Sequence, residues 1–176
     1  MDSKFRPGAS ETDAEGRNFG GESDRFGRTM ATPLNDDETR AFLSEGTRTA
    51  KLAWVTKSGR PAVTPVWFVV DEHEDGFDLV FNTAKAAGKA KAFARDPHVA
   101  IIVDDERPPF GLVRLDGRVE LSENREERLA FATRIGGRYM GADRAEEFGA
   151  RNGGDDEWLV RFRPERITAV SDIAGY

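Results

Sequence analysis

The 176-residue chain contains no cysteine. That excludes a disulfide framework, a thiolate metal site and a cysteine nucleophile. Histidine is nearly as scarce, with only His73 and His98, so a zinc or haem site built on several imidazoles is not expected. His73 lies in an acidic turn and His98 at the entry to a strand, and both read as solvated positions. No apolar run is long enough to span a bilayer. The N-terminus has no continuous apolar region of the secretory kind. With no disulfides and no export signal, the cytoplasm is the default location. Excess positive charge is also missing: the formal net charge is -6, which argues against a general nucleic-acid binder.

Motifs of independent chemistry are absent too. Gly136 to Gly141 does not follow a strand in a βαβ unit, so it is no dinucleotide fingerprint. Gly88-Lys89 lacks the preceding glycine and the following Ser/Thr of a P-loop. No serine sits in a nucleophile elbow. The carboxylate pairs Asp71/Glu72, Asp104/Asp105 and Asp155/Asp156 are read as lying in polar turns and facing solvent. If the protein is an enzyme, an organic cofactor carries the reaction.

What is present is length enough for one hydrophobic core and a readable order of elements. Residues 1–30 are rich in Gly, Ser and charge and poor in aliphatics, which predicts a disordered extension. Residues 31–176 read as one domain. Asn35 with Glu38 forms a helix-start signature, and the helix runs toward Gly46. Residues 50–56 and 62–71 read as strands joined by a turn, a β-hairpin. Pro65 interrupts the second strand and so belongs at an edge or bulge. Residues 77–82 form a third strand, 99–103 a fourth, and 110–121 a fifth with a bend at Gly117. Asn124 with Glu127 starts a helix that Gly136-Gly137 should weaken or break. Residues 142–150 read as a further short helix. Trp158 to Arg163 form the last strand, which Ile167–Val170 extend after Pro164. Six antiparallel strands with peripheral helices suggest a closed or partly closed barrel. Such a barrel is too narrow to enclose a large ligand, which must sit outside or at a subunit interface.

One segment carries chemistry. The third strand ends in Asn82-Thr83 and runs into a basic, small-residue stretch with Lys85, Lys89 and Lys91 around Gly88. A hydroxyl-bearing turn, a glycine and clustered lysines suit a phosphate. The competing reading is a solvated helix face.

The stretches Thr49–Asp71, Phe81–Phe110 and Arg138–Gly154, in that order and spacing, resemble the pyridoxamine 5'-phosphate oxidase-like group of flavin/deazaflavin oxidoreductases. The resemblance covers roughly Leu34 to Asp172 and is strongest to the branch that uses coenzyme F-420. It implies a mainly β split β-barrel with six antiparallel strands and a homodimer with cofactor at the subunit interface. Thr64, Pro65, Val66 and Trp67 match positions that hold the tricyclic ring. Asn82 and Thr83 match the ribityl chain. Lys89 and Lys91 match the phosphate anchors, with Lys85 serving the phosphate or the acidic tail of the deazaflavin. Phe110 matches a position that approaches the ring from the other subunit, and Arg138 and Tyr139 lie toward the substrate side. Where FMN relatives often carry Ser-Arg-Lys, this chain has Ala87-Gly88-Lys89, which tilts the resemblance from FMN to F-420. The C-terminal arginine and histidine pattern of a true pyridoxamine phosphate oxidase is missing. The implied function is hydride transfer between reduced F-420 and a small conjugated organic substrate. An FMN-dependent flavoprotein and a non-catalytic carrier of cofactor, tetrapyrrole or lipid are the alternatives.

Overall fold

The structure is a computed structural model and describes residues 31–175. The predicted disorder of residues 1–30 falls outside them. The elements are β1 (Thr32–Pro33), α1 (Asp36–Ser44), β2 (Ala50–Val55), β3 (Pro61–Val66), β4 (Val69–His73), β5 (Gly76–Ala84), α2 (Gly88–Phe93), β6 (His98–Asp105), β7 (Gly111–Ser122), α3 (Arg125–Met140), α4 (Ala145–Asn152) and β8 (Glu157–Ser171). None of the described helices is long and apolar enough to cross a membrane.

The local signals work as physics predicts. Asn35 accepts from the Glu38 amide at 2.9 Å and donates its own amide to the Glu38 carboxylate at 2.8 Å. Asn124 caps α3 by accepting from the Glu127 amide at 3.1 Å. These bonds satisfy amides that an uncapped first turn leaves open.

All strands join one antiparallel sheet, in the order β3-β2-β6-β7-β8-β5-β4, with β1 paired to β8. The count among the described residues is therefore eight, not six. Residues 62–71 form two strands rather than one. The break falls at Trp67-Phe68 and not at Pro65, which stays in register opposite Lys51. Strand β3 is an edge, so the missing proline donor costs no ladder bond on the open side. β1 supplies the eighth strand.

β3 and β4 lie at opposite ends of this strand path, yet only Trp67 and Phe68 separate them. Three Cα steps span at most about 11 Å. The sheet must therefore roll until its two edges almost meet. It does not close by hydrogen bonds, and the split between β3 and β4 remains.

Inside the roll, alternate residues interlock. Leu52, Phe68, Leu79, Phe81, Ile101, Val103, Leu115 and Phe162 are almost fully buried there. A second, smaller cluster joins Val69, Val80 and Leu159 to Phe131 and Ile135 of α3 on the outer face. The predicted bend at Gly117 is real: the β7–β8 register shifts there. A Cβ on Gly117 would fall 2.1 Å from the Arg163 carbonyl oxygen. Gly136-Gly137, by contrast, do not break α3. A Cβ at Gly136 would meet the Phe148 Cβ at 2.8 Å, so the missing side chain lets α4 lie close against α3. β8 runs unbroken through Pro164.

Candidate functional site

The basic segment begins where β5 leaves the sheet. The β5–β8 ladder ends at Ala84↔Glu157. The Lys85 amide then donates to the Asp156 carbonyl at 2.8 Å, and the Ala87 amide to Ala84 at 2.9 Å. The run from Ala84 to Gly88 forms this turn around Lys85. α2 follows, with Ala90, Ala92 and Phe93 buried and Lys91 exposed.

Asn82 and Thr83 are adjacent on β5 and so face opposite sides of it. Thr83 is 3% exposed and shares the inner face with Phe81 and its ladder partner Trp158. Asn82 shares the outer face with Val80. The Asn82 Oδ1 and Nδ2 and the Thr83 Oγ1 are buried, and among the described residues no group satisfies any of them. An unsatisfied buried polar atom costs about 1–3 kcal/mol. The unsatisfied atoms lie on opposite faces of the strand, those of Asn82 outward and that of Thr83 against the core.

The lysines differ. Lys85 is bound to Glu123 at 2.8 Å and lies 4.8 Å above the Trp158 ring. Lys89 is half-buried. Burial lowers its pKa, partly offset by the Glu157 carboxylate.

Across the split, Thr64 and Pro65 lie on the β3 edge and Val66 turns into the core. The Thr64 hydroxyl makes only a long bond to the Pro65 carbonyl, 3.4 Å. The β4–β5 ladder starts at Val69↔Val80. Trp67 and Asn82 each lie two residues beyond that pair, which brings the link residues and the end of β5 to one region.

Phe110 is not brought there. It sits in the β6–β7 hairpin at a positive φ of 63°. α2 lies near the other end of β6, and eight residues of strand span about 26 Å. Within one protomer, Phe110 and Lys89 are at opposite ends of the molecule.

Arg138 and Tyr139 have their polar groups taken up by backbone. Arg138 donates to the carbonyls of Leu43 at 2.7 Å, Gly46 at 2.9 Å and Phe68 at 3.0 Å. The Tyr139 hydroxyl donates to the Arg48 carbonyl at 2.7 Å and accepts from the Phe68 amide at 3.3 Å. They hold the split in shape.

Sequence reasoning missed a charged cleft of about 480 Å³ at the start of β2. Lys51 pairs with Asp104 at 2.6 Å, and Arg48 and Arg107 with Asp105 at 2.5 and 3.1 Å. Bonds from Arg107 and then Arg48 hold the Asp105 carboxyl well below the usual carboxylate range. Asp104 and Asp105 are thus paired rather than free in solvent. Lys51 and Arg48 lie 53 and 57 residues from these carboxylates, and no local pattern reports those two pairings, whereas Arg107 is only two residues from Asp105. Asp71 is likewise paired, to Arg134 and Arg161.

The outer face of β2, β3 and β6 carries exposed apolar side chains. Val63 is 68% exposed, Val55 52% and Ile102 39%. The ladder registers place Ala53 beside Val63 and Ala100 on this same face.

A family model described as pyridoxamine 5'-phosphate oxidase matches residues 36–171. No curated protein matches the chain at a significant level. Among solved structures, the conserved hypothetical protein Rv2991 from Mycobacterium tuberculosis is similar with a TM-score of 0.69 and 20% identity, over 81% of this chain and 88% of that one. A protein described as an F-420 reductase aligns with a TM-score of 0.56 and 24% identity, over 71% and 92%. A putative pyridoxamine 5'-phosphate oxidase from Listeria innocua aligns with a TM-score of 0.59 and 19% identity, over 76% and 96%. At these identities the likeness is one of fold.

Proposed function

Because this chain belongs to the pyridoxamine 5'-phosphate oxidase family, we propose that it is a homodimeric oxidoreductase that binds coenzyme F-420 and passes a hydride to a small conjugated organic substrate. The observation that carries the reading is the pair of unsatisfied buried amide atoms of Asn82 on the outer face of β5, a short turn before the half-buried Lys89 in sequence. These groups fit a phosphate-bearing polyol chain: amide to the chain, ammonium to the phosphate.

Bound, the cofactor supplies the hydride chemistry. The chain's own residues bind and orient. Lys89 anchors the phosphate, with Lys91 exposed beside it and Lys85 restrained by Glu123. The Thr64–Trp67 edge offers its free backbone groups to a flat polar ring. The rolled sheet offers no internal chamber, because its interior is filled by Phe68, Phe81 and Phe162. A large cofactor must therefore lie across the split and out along the surface.

Val55, Val63 and Ile102 supply the reason for a second protomer. An apolar patch on an uncovered sheet face is a common mark of an interface. Pairing two copies there would also supply a Phe110 that one protomer cannot bring to its own lysines.

The test is a titration of the purified protein with F-420 and with FMN, followed by turnover assays on enones and quinones. Tighter binding of F-420 with hydride transfer supports the proposal. Preference for FMN would move the assignment to a flavin enzyme on the same scaffold. Tight binding without turnover would make the protein a carrier.

A further inference from the structure

A cleft of about 330 Å³ lies on the outer face of the sheet, where β7, β8 and β5 run side by side. Arg118 of β7 and Arg163 of β8 both line it, and the ladder sets them directly opposite each other. Like charges in that position repel. Each guanidinium is braced at its Nε alone. Arg118 donates there to Glu165 at 2.5 Å, and Arg163 to Asp78 at 3.4 Å. Among the described residues, nothing engages the terminal nitrogens of either. Asp78 is only 2% exposed, so the seat of Arg163 is a buried carboxylate. Its other cationic neighbours stand further off, His73 at 3.6 Å and Arg161 at 3.8 Å. The seat of Arg118 is made by a bulge. The β7–β8 register jumps from Gly117↔Pro164 to Asp116↔Arg166, which leaves Glu165 without a ladder partner. Bulges re-aim a side chain, and they gather beside functional sites.

Glu120 also lines the cleft, on the same face of β7 and two residues from Arg118. Its ladder partner, Arg161, is turned away to Asp71 at 2.8 Å and to Glu127. No ion pair engages Glu120 among the described residues. The cleft therefore presents two guanidiniums with free ends and, about 7 Å along the strand, one free carboxylate. We propose that it binds a small amino-acid zwitterion. The ligand carboxylate is clamped between Arg118 and Arg163, and the ligand ammonium meets Glu120. A carboxylate accepts the paired N–H groups of a guanidinium fork, and its charge relieves the repulsion between the opposed arginines. Glu120 sets the class of ligand: it attracts an ammonium and repels the second charge of a phosphate or dicarboxylate. This site is separate from the region proposed for the cofactor. Asn82 lies four residues of β5 from Asp78, about 13 Å. Arg161 pairs with Val80, midway between them, and its guanidinium lies 4.8 Å over the Phe131 ring of α3. The inference holds whichever cofactor the protein binds.

The test is isothermal titration calorimetry of the full-length protein with L-alanine, γ-aminobutyrate, acetate, methylamine and inorganic phosphate. At least one of the two amino acids should bind with a Kd of about 1 mM or tighter. It should bind about tenfold tighter than acetate or methylamine, each of which makes half of the contacts. Arg163→Gln should weaken the amino acid and acetate alike, by about tenfold. Glu120→Gln should weaken the amino acid about tenfold and leave acetate unchanged. Arg114→Gln, on the same strand outside the cleft, should change nothing. The three side chains are exposed, so Tm should hold in every variant. Amide NMR shifts on titration should gather at Val119, Glu120 and Arg163. Acetate or phosphate binding as tightly as the amino acids would make the cleft a plain anion site and overturn the zwitterion class. No binding of any of the five at about 20 mM, or shifts confined to another part of the molecule, overturns the site. F-420 should bind wild type and Arg163→Gln equally. Loss of F-420 binding in that variant would assign the arginines to the cofactor and sink the inference, whereas failure of F-420 to bind either protein leaves it standing.

Discussion

Trp67 lies flat on Tyr139, with ring centroids 4.9 Å apart and planes 3° from parallel. Trp67 belongs to the two-residue link between the sheet's edge strands, and Tyr139 to the last turn of α3. The stack ties the helical layer to the point where the barrel fails to close. The Tyr139 hydroxyl adds a polar bridge between the Arg48 carbonyl and the Phe68 amide.

Tyr139→Phe keeps the stack and removes the bridge. It leaves a carbonyl and an amide without their partner in a half-buried place, so stability should fall by about 1–3 kcal/mol. In a domain of this size that is a loss of several degrees in Tm. Thermal denaturation followed by circular dichroism reads it, and a shift within error would mean that the bridge contributes nothing.

Lys89→Ala should weaken F-420 binding by about 10- to 100-fold, the range of a lost charge-assisted hydrogen bond. Lys91→Ala should cost less, because that side chain is exposed. Neither change removes a core contact made by Phe93, so Tm should hold. Equal affinity in wild type and Lys89→Ala would sink the assignment.

Gly149→Ala separates two effects of opposite sign. Alanine gains up to about 1 kcal/mol over glycine by helix propensity. Its Cβ, however, would lie 2.0 Å from the Thr133 Oγ1 and 3.0 Å from the Thr133 Cα. The hydroxyl can rotate, but the backbone of α3 cannot move without opening the helix pair. Overpacking of this kind costs about 1–3 kcal/mol, so net destabilisation is expected in a urea melt. A stabilised variant would show that the two helices separate freely.

Acid should unfold the protein in part through Asp71. Burial alone would raise its pKa, but hydrogen bonds from Arg161 and Arg134 outweigh that and leave it below the usual value of 3.8. A carboxyl depressed in the native state stabilises it above the unfolded pKa. That contribution is complete above about pH 4 and is lost as pH falls through the lower native value. Stability measured from pH 7 to pH 2.5 should therefore drop below pH 4. Asp71→Asn should be less stable at pH 7 and show a shallower acid slope. A parallel slope would show that Asp71 is not responsible.

Val63→Glu places a charge in the exposed apolar patch of β2, β3 and β6. If two copies meet there, light scattering should show a dimer for the wild type and a monomer for the variant. A dimer unaffected by Val63→Glu would place the interface elsewhere.

Much of the fold was legible in the residues because its signals are local. The Asn35–Glu38 capping box and the Asn124 cap act over three positions. The buried–exposed alternation of β7 has the period of a strand. Gly117 announced a bend, and Pro65 an edge. The strand break was misplaced for a physical reason. Trp67 and Phe68 are good strand formers, and they leave the sheet only because Tyr139 and Arg138, about seventy positions away, hold them. Gly136 was misread because a glycine that breaks a helix and one that admits a neighbouring helix look alike until the neighbour is known.

The candidate site divides in the same way. Asn82-Thr83 and the lysines are contiguous, so the sequence alone determined their grouping, on which the proposed phosphate reading rests. It also determined the mainly antiparallel architecture, through alternation and short turns. Tertiary structure decided that Lys85 is committed, since Glu123 in the β7–α3 link and Trp158 of β8 restrain it. It decided that Arg138 binds carbonyls and that Asp104 and Asp105 are paired. Each of these depends on which strands become neighbours when the sheet rolls. That is a property of the whole packed sheet, and no window along the chain contains it.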